Sequence, residues 1–198
     1  HHGIYDFSFL RTLPNIKIFY AGTKRDLIAI LKERYKNRSG PMIILHPYEL
    51  ISPLHDQFLP KKITPLNLIE CIEKGEDGII IALGNKLSDA INLKKMLLLK
   101  KKQNYAVYNL RWVNPLPNTE LELLLRNYKK VITMEESVKN GGIGCAINEF
   151  VRSKKIDCHI YVSAIDNKFL PAGDKQELSE LAKIDVKSIF EQLESFWG

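Results

Sequence analysis

Residues 79–110 read IIIALGNKLSDAINLKKMLLLKKKQNYAVYNL and contain two apolar runs, at residues 79–83 and 105–110, that suit buried strands. Gly84 ends the first run. A helical stripe of apolar side chains follows, formed by Leu87, Ala90, Ile91, Leu97 and Leu98. Two sequential strands joined by a helix run parallel, because a crossover of this length returns the chain to the same end of the sheet. The segment therefore predicts a β-α-β unit.

A second unit of this kind is predicted nearer the N-terminus, where residues 16–20 and 41–47 suit two further strands. Thr23 is a candidate N-cap for the helix between them, since its hydroxyl can accept from a free N–H group of the first helical turn. The apolar face predicted for this helix consists of Leu27, Ile30, Leu31 and Tyr35.

The alternation continues toward the C-terminus, with strands predicted at residues 131–134 and 159–164 and a helix over about residues 142–152. Residues 174–177, DKQE, resemble a capping box at the start of the final helical segment. The core-facing stripes of the other helices are Leu121, Leu124, Leu125 and Tyr128, and Val186, Ile189, Phe190, Leu193 and Trp197. Strands separated by helix-sized connections predict an α/β fold of mostly parallel sheets covered by helices on both faces.

Residues 48–65 interrupt this alternation with irregular sequence that contains Pro53, Pro60 and Pro65. We interpret residues 49–65 as a linker between two domains. The first domain then comprises residues 1–48 and the second comprises residues 66–198.

The composition restricts the class of protein. The chain has 198 residues, of which 45% are hydrophobic and 26% are charged, and its longest apolar run is far shorter than the roughly 20 residues of a membrane span. Three cysteines at spacings that match no zinc or Cys-x-x-Cys pattern indicate buried thiols in a reducing compartment, so we expect a cytoplasmic protein without membrane contact. The net charge of +6 suggests an anionic partner, but lysines without interleaved aromatic residues argue against nucleic acid.

Residues 135–144, EESVKNGGIG, join the end of a strand to a glycine-rich turn that opens a helix. Open α/β sheets bind ligands at this place, and a helix N-terminus offers free N–H groups to an anion. Gly-Gly-x-Gly also serves tight turns and close packing, and the order does not match the dinucleotide pattern G-x-G-x-x-G. Both uses stay open, with the structural use favoured.

Several blocks occur in a fixed order along the chain. They are His1-His2-Gly3-Ile4-Tyr5-Asp6 with Leu10-Arg11 and Pro14-Asn15, Gly40-Pro41, LRWVNPL at residues 110–116, the cluster at residues 135–144, and Asp166 with Phe169 and Gly173. Together they resemble the C-terminal third of the 1-deoxy-D-xylulose-5-phosphate synthases. The glycine cluster is shared with the β-subunits of 2-oxo acid dehydrogenases, whereas the first block and the LRWVNPL block favour the synthases.

The resemblance implies the end of a pyrimidine-binding domain at residues 1–48 and a transketolase C-terminal domain at residues 66–198. It also implies a homodimeric transferase that uses thiamine diphosphate and Mg²⁺ to condense pyruvate with glyceraldehyde 3-phosphate, with loss of CO₂. The product supplies isoprenoid, thiamine and pyridoxal synthesis, and the cofactor acts as the electron sink. In the family, the residues that bind the diphosphate and Mg²⁺ precede this segment. We therefore expect a chain that begins inside a larger synthase polypeptide and is inactive by itself.

The resemblance also implies site residues. His1 matches the first histidine of a T-H-H-G motif in the substrate pocket, where an imidazole can bind an anionic substrate group or transfer protons. Tyr5 lies on the same turn and is assigned to the cofactor site, with packing as the alternative. Arg11 is expected to pair with a carboxylate across the domain interface. An expression tag is the other possible origin of His1-His2, but the Gly-Ile-Tyr-Asp continuation favours a native sequence.

One departure from the family concerns the acceptor's phosphate. Where the synthases have R-Y-P-R-G, residues 45–49 read LHPYE, so both arginines and the glycine are absent. Tyr48 replaces the second arginine and is assigned to the substrate, although a phenol is a poor substitute for a bidentate cation. Three alternatives to an active synthase stay open: a non-catalytic module for dimerisation or ligand sensing, the β-subunit of a 2-oxo acid dehydrogenase, and, least favoured, a nucleic-acid binder.

Overall fold

The structure is a computed structural model and describes residues 3–37, 40–47 and 69–197. The segment interpreted as a linker lies outside these ranges, so the domain boundaries remain a prediction. A 3-10 turn at Gly3–Tyr5 opens the chain, and the α-helices are α1 (Asp6–Leu10), α2 (Lys24–Lys36), α3 (Lys86–Lys101), α4 (Asn118–Leu125), α5 (Ile143–Ser153), α6 (Lys175–Leu181) and α7 (Val186–Trp197). The strands are β1 (Lys17–Tyr20), β2 (Met42–Leu45), β3 (Ile69–Glu73), β4 (Gly78–Leu83), β5 (Tyr105–Leu110), β6 (Trp112–Asn114), β7 (Lys130–Val138) and β8 (His159–Ile165).

A three-stranded sheet in the order β2-β1-β6 contains strands from both parts of the chain. β1 and β2 are parallel, from Lys17 opposite Met42 to Tyr20 opposite Leu45, as the N-terminal β-α-β unit predicts. β6 pairs antiparallel with β1 and was not predicted, because three residues are too few to show a period of two. The two predicted domains therefore share this sheet.

The larger sheet has the order β3-β5-β4-β7-β8. The neighbouring strands β5, β4, β7 and β8 are all parallel to one another. The parallel pairing of β4 with β5 confirms the β-α-β unit at residues 79–110. β3 lies antiparallel at the edge next to β5. The sequence IECIE of β3 was not predicted as a strand, since glutamates interrupt a short apolar pattern.

Both faces of the larger sheet are covered, as the fold class requires. β4 is buried along its whole length and alternates between two cores. Ile80 and Ala82 pack with α3 and α7, while Ile79, Ile81 and Leu83 pack with α1, α4 and α5. The mostly parallel α/β architecture is thereby confirmed.

The structure confirms the predicted cap of α2 but only some of the predicted apolar faces of α2 and α3. The Thr23 hydroxyl caps α2 by accepting from the backbone N–H of Asp26 at 3.0 Å, as predicted. Ile30 is buried against the three-stranded sheet, but Leu31 and Tyr35 are 51% and 78% exposed, so only part of the predicted apolar face packs in the core. A sheet of three strands covers only a narrow stripe of the helix. Leu98 of α3 is likewise exposed.

The positions of the cysteines contradict one expectation drawn from the composition. The prediction of buried thiols is wrong, because Cys71 is exposed on the edge strand β3 and Cys145 and Cys158 are half-buried. Within residues 3–37, 40–47 and 69–197, none of the helices combines the length and the apolar character that crossing a membrane requires.

Candidate functional site

The first feature that positions the site is a buried ionic cluster around Arg111, the residue between β5 and β6. Its side chain is 1% exposed, and its Nε donates to Oδ1 of Asp26 on α2 at 2.6 Å. Its second terminal nitrogen donates to a carboxylate oxygen of Glu70 on β3. Removing one partner of such a cluster would leave a buried charge uncompensated. Arg111 therefore ties the first part of the chain to the larger sheet.

A second connection joins α1 to the glycine turn after β7. Arg11 donates from Nη1 to the carbonyls of Gly141 and Gly142, at 2.8 and 3.1 Å, and Ser8 donates to the carbonyl of Asn140 at 2.7 Å. Burial lowers the pKa of Arg11, and the negative charge of Glu135 opposes that shift. Arg11 thus crosses between the two parts as expected, but its partners are backbone carbonyls rather than the predicted carboxylate.

The N-terminus of α5 is occupied by the protein's own carboxyl group. Oε2 and Oε1 of Glu135 accept from the N–H groups of Ile143 and Gly144, each at 2.8 Å, and the Ser137 hydroxyl donates to Oε2. Burial raises the pKa of Glu135, while these hydrogen bonds oppose the shift. Two of the N–H groups that would attract an external anion are therefore already satisfied, which supports the structural interpretation of the glycine turn.

Gly144 is required by close packing. A Cβ at this position would lie 2.5 Å from Cγ1 of Val162 and 2.6 Å from Oγ1 of Thr133, closer than real carbon contacts allow. The first residues of α5 therefore pack directly on β7 and β8. In the sequence, only the presence of a glycine at position 144 indicates this close packing.

A cleft of about 850 Å³ opens where the parallel strands β1, β2, β4 and β7 end. In open α/β sheets this edge is the usual place for a ligand. The polar and aromatic groups that line it are Asp6, Phe7, Tyr20, His46, Asn85, Glu136 and Lys175. Both predicted domains contribute to these walls, so the cleft depends on the contacts made by Arg111 and Arg11.

Gly84 lets the two walls approach each other. It has a φ of +62°, and a Cβ there would lie only 1.9 Å from the ring of Tyr20. Any other residue would be strained by its backbone and would displace the ring. The tight turn after β4 in turn places Asn85 in the cleft.

The charges in the cleft centre on Glu136. Asn85 donates from Nδ2 to its Oε2 at 2.5 Å, and the ammonium group of Lys175 lies 3.1 Å from its Oε1. The buried ammonium group of Lys86 lies 3.8 Å from the same oxygen and also contacts Asp89 at 2.8 Å. Glu136 is thereby held in one position between cationic and amide groups from three elements.

Two further titratable groups line the cleft. Burial raises the pKa of Asp6 at the start of α1. The Nδ1 of His46 lies 2.9 Å from the carbonyl oxygen of Pro47. Because a carbonyl can only accept, Nδ1 carries the proton in this contact, and Nε2 is an acceptor whenever the imidazole is neutral. The cleft can therefore receive a hydroxyl donor at His46.

The residues predicted for the site fall into two groups. His1 and Tyr48 lie outside the described residues, although Gly3 and Pro47, close to them in sequence, line the cleft. Tyr5 packs its ring against Phe169, with centroids 5.6 Å apart and planes inclined by 56°. Its assignment to a cofactor stays a prediction.

Sequence analysis missed Asn85, Lys175 and a role for His46 in the cleft. Asn85 directly follows a predicted strand and the glycine that ends it. A polar residue at this position could have been predicted to lie at the edge of the sheet where ligands bind. Lys175 sits in a capping segment far along the chain, and only the folded structure brings it to Glu136. Leu45, which replaces the first arginine of R-Y-P-R-G, also lines the cleft.

The described part of the chain does not fit a Mg²⁺ ion bound to a diphosphate. No group of three or more His, Cys, Asp or Glu side chains is arranged there to hold a metal. The cleft sets the carboxyl groups of Asp6 and Glu136 against Lys175, and the N-terminus of α5 is filled by Glu135. A diphosphate needs an excess of cations and free N–H groups, which these residues do not offer.

Comparison with known proteins adds three findings. The profile of the family "Transketolase, C-terminal domain" matches residues 69–189. The 1-deoxy-D-xylulose-5-phosphate synthases of Carboxydothermus hydrogenoformans and Lawsonia intracellularis are 29% and 30% identical to this chain over 190 and 196 residues. These alignments cover 96% and 98% of this chain but 30% of each relative, so the chain spans about a third of their length.

A solved structure titled "Split gene transketolase, inactive beta4 tetramer" has the same fold, with a TM-score of 0.80 and 23% sequence identity. The match covers 97% of this chain and 61% of that chain. At this identity the likeness concerns the fold alone.

Proposed function

Because the chain belongs to the family of transketolase C-terminal domains, we propose that it is the C-terminal part of a 1-deoxy-D-xylulose-5-phosphate synthase. In the whole protein, pyruvate loses CO₂ and its two-carbon unit is joined to glyceraldehyde 3-phosphate, a step that supplies isoprenoid, thiamine and pyridoxal synthesis. Thiamine diphosphate supplies the electron sink when bound. We further propose that the whole protein is a cytoplasmic homodimer and that residues 49–65 are a linker between two domains. The rest of the synthase polypeptide then completes the site.

The cleft at the carboxyl ends of both sheets is the single observation that carries this proposal. It is built by the two parts of the chain together, and its volume of about 850 Å³ is ample for a small substrate. Nothing in the described walls suits the diphosphate and Mg²⁺, so the proposal assigns both to parts of the protein outside this chain. This chain then supplies the wall that faces the substrates.

We propose tasks for two residues that line the cleft and for the three site residues that the resemblance implies. His46 accepts a hydrogen bond from a substrate hydroxyl through Nε2, and Glu136 is held by Asn85 and Lys175 so that it cannot swing into the cleft. We assign His1 to proton transfer and substrate binding. Tyr48 donates a hydrogen bond to the substrate, and the Tyr5 ring borders the cofactor.

A matched pair of histidine variants of the whole protein tests the proposal. His46→Ala should raise the KM for glyceraldehyde 3-phosphate about tenfold, the cost of one hydrogen bond of roughly 1.4 kcal/mol. His159→Ala changes an exposed histidine at the start of β8 and should leave the kinetics unchanged. Equal effects of the two substitutions, or none from either, would contradict the role assigned to the cleft. Absence of any pyruvate consumption by the folded whole protein with its cofactors would refute the activity.

A further inference from the structure

A second concavity lies at the opposite end of α6 from the cleft. Lys175, the first residue of α6, lines the cleft, whereas Leu181, its last residue, lines a pocket of about 250 Å³ between β8 and the turn that joins α6 to α7. The polar groups around this pocket come from Lys139, Ser163, Asp166, Lys168, Lys183 and Gln192. No residue lines both cavities, so the pocket is separate from the proposed active site.

The charges around the pocket are unbalanced. Lys139 follows β7, Lys168 follows β8 and Lys183 lies between α6 and α7, so three segments bring ammonium groups to one concavity. Asp166 is the carboxylate that opposes them, which leaves a surplus of two positive charges. Within the part of the chain that the structure describes, none of these lysines forms a salt bridge. Like charges around one concavity repel one another, and a bound anion would relieve that repulsion.

Ser163 provides an independent observation. Its side chain is 2% exposed, and its hydroxyl has no hydrogen-bond partner among the described residues. It lies on β8 between the buried residues Tyr161 and Ile165. A buried hydroxyl without a partner is costly, and native proteins nearly always satisfy such groups. The pocket therefore contains an unused donor on its wall.

The floor of the pocket is also held rigid. Gln192 on α7 donates from Nε2 to the carbonyls of Lys183 and Ser188, each at 3.0 Å. These hydrogen bonds fix the turn between α6 and α7 and so fix the backbone that carries Lys183. A preformed concavity binds a ligand without the cost of ordering its walls.

We propose that this pocket is a binding site for a phosphate group, either inorganic phosphate or the end of a small phosphate ester. The surplus of two positive charges matches a phosphate dianion better than a carboxylate. The three lysines act as point charges around the anion, and the Ser163 hydroxyl donates the directional hydrogen bond. The volume of about 250 Å³ leaves room for a short ester chain beside the phosphate.

The first test compares two charge reversals in the whole protein, with inorganic phosphate titrated by calorimetry. Lys168→Glu should weaken phosphate binding at least tenfold. Lys95→Glu changes the net charge equally but lies exposed on α3, away from the pocket, and should change the affinity less than twofold. The two variants distinguish phosphate bound in the pocket from phosphate bound elsewhere in the whole protein. Only binding that Lys168→Glu weakens and Lys95→Glu does not is assigned to the pocket. Equal losses in both variants, or no saturable binding to the unaltered protein, would overturn the proposal.

The second test uses Ser163→Ala, which removes only the hydroxyl. If the hydroxyl serves a ligand, the variant should unfold at a higher temperature without phosphate, and the affinity for phosphate should fall about fivefold. A lower unfolding temperature together with unchanged affinity would refute the role of Ser163. Glycerol 3-phosphate then distinguishes the two sources of the phosphate group. Tighter binding than that of inorganic phosphate identifies an ester ligand, and equal binding identifies recognition of the phosphate group alone.

Discussion

Replacing Arg111 with methionine should separate the two parts of the chain. The substitution keeps an unbranched side chain of similar length but removes the cation that contacts Asp26 and Glu70. Both carboxylates would remain buried, at 0% and 7% exposure, without the charge that compensates them. Breaking a buried ion pair in this way costs about 3–5 kcal/mol. In a unit of this size, that loss corresponds to a drop of roughly 6–20 °C in the unfolding temperature.

Thermal unfolding of the whole protein measures the drop, and hydrogen exchange locates it. The backbone N–H groups of β6 and β1 should exchange faster, because Arg111 immediately precedes β6 and its carbonyl accepts from Tyr20. Arg126→Met is the matched control, since Arg126, the C-cap residue of α4, is 49% exposed where it pairs with Glu122 and should lower the unfolding temperature far less than Arg111→Met does.

A compensating variant separates charge from packing. Adding Asp26→Asn and Glu70→Gln to Arg111→Met removes the uncompensated charges and should restore most of the lost stability. A drop of less than about 2 °C for Arg111→Met alone would refute the reasoning, because the cluster would then contribute no more than a surface pair. A drop that the two added substitutions leave unchanged would assign the effect to packing instead.

Three further predictions concern the elements around the site. Gly144→Ala should destabilise the protein by about 1–3 kcal/mol in thermal unfolding, since the new Cβ would overlap Thr133 and Val162. Thr23→Ala should cost about 1 kcal/mol through loss of the cap on α2. Burial raises the pKa of Glu135, so the folded protein retains a proton that the unfolded chain releases, and stability should fall as pH rises from the ordinary range of a glutamic acid toward that raised pKa. Glu135→Gln should remove this part of the pH dependence.

The elements that the sequence predicts well are those with long, uniform patterns. β4, α3 and β5 follow from an apolar run, a helical stripe and a second run, and Thr23 is recognisable as a cap because its chemistry is local. These features depend on residues close together in sequence. Parallel pairing then follows from the length of the crossover.

The elements that the sequence misses depend on distant partners. β6 has three residues and becomes a strand only because β1 lies beside it, and β3 is an edge strand with glutamates in its pattern. The exposure of Leu31 and Tyr35 reflects the narrow sheet beneath α2, which no local pattern reveals.

In the site, too, the features that could be predicted are local in sequence, and the others depend on residues far apart in sequence. The strand-end position of residues 135–144 predicted where a cleft lies, because the carboxyl ends of parallel strands form one edge. The filling of the α5 N-terminus by Glu135 and the approach of Lys175 to Glu136 depend on side chains that the fold brings together. Their distances have no signature in the sequence.

We propose above that this chain completes the substrate site of a 1-deoxy-D-xylulose-5-phosphate synthase. The most direct measurement is carbon NMR of the whole protein incubated with ¹³C-labelled pyruvate, glyceraldehyde 3-phosphate, thiamine diphosphate and Mg²⁺. Label from pyruvate should appear in 1-deoxy-D-xylulose 5-phosphate and in CO₂. Folded protein that leaves the pyruvate unchanged, or that transfers its label only to a different acceptor, would contradict the claim.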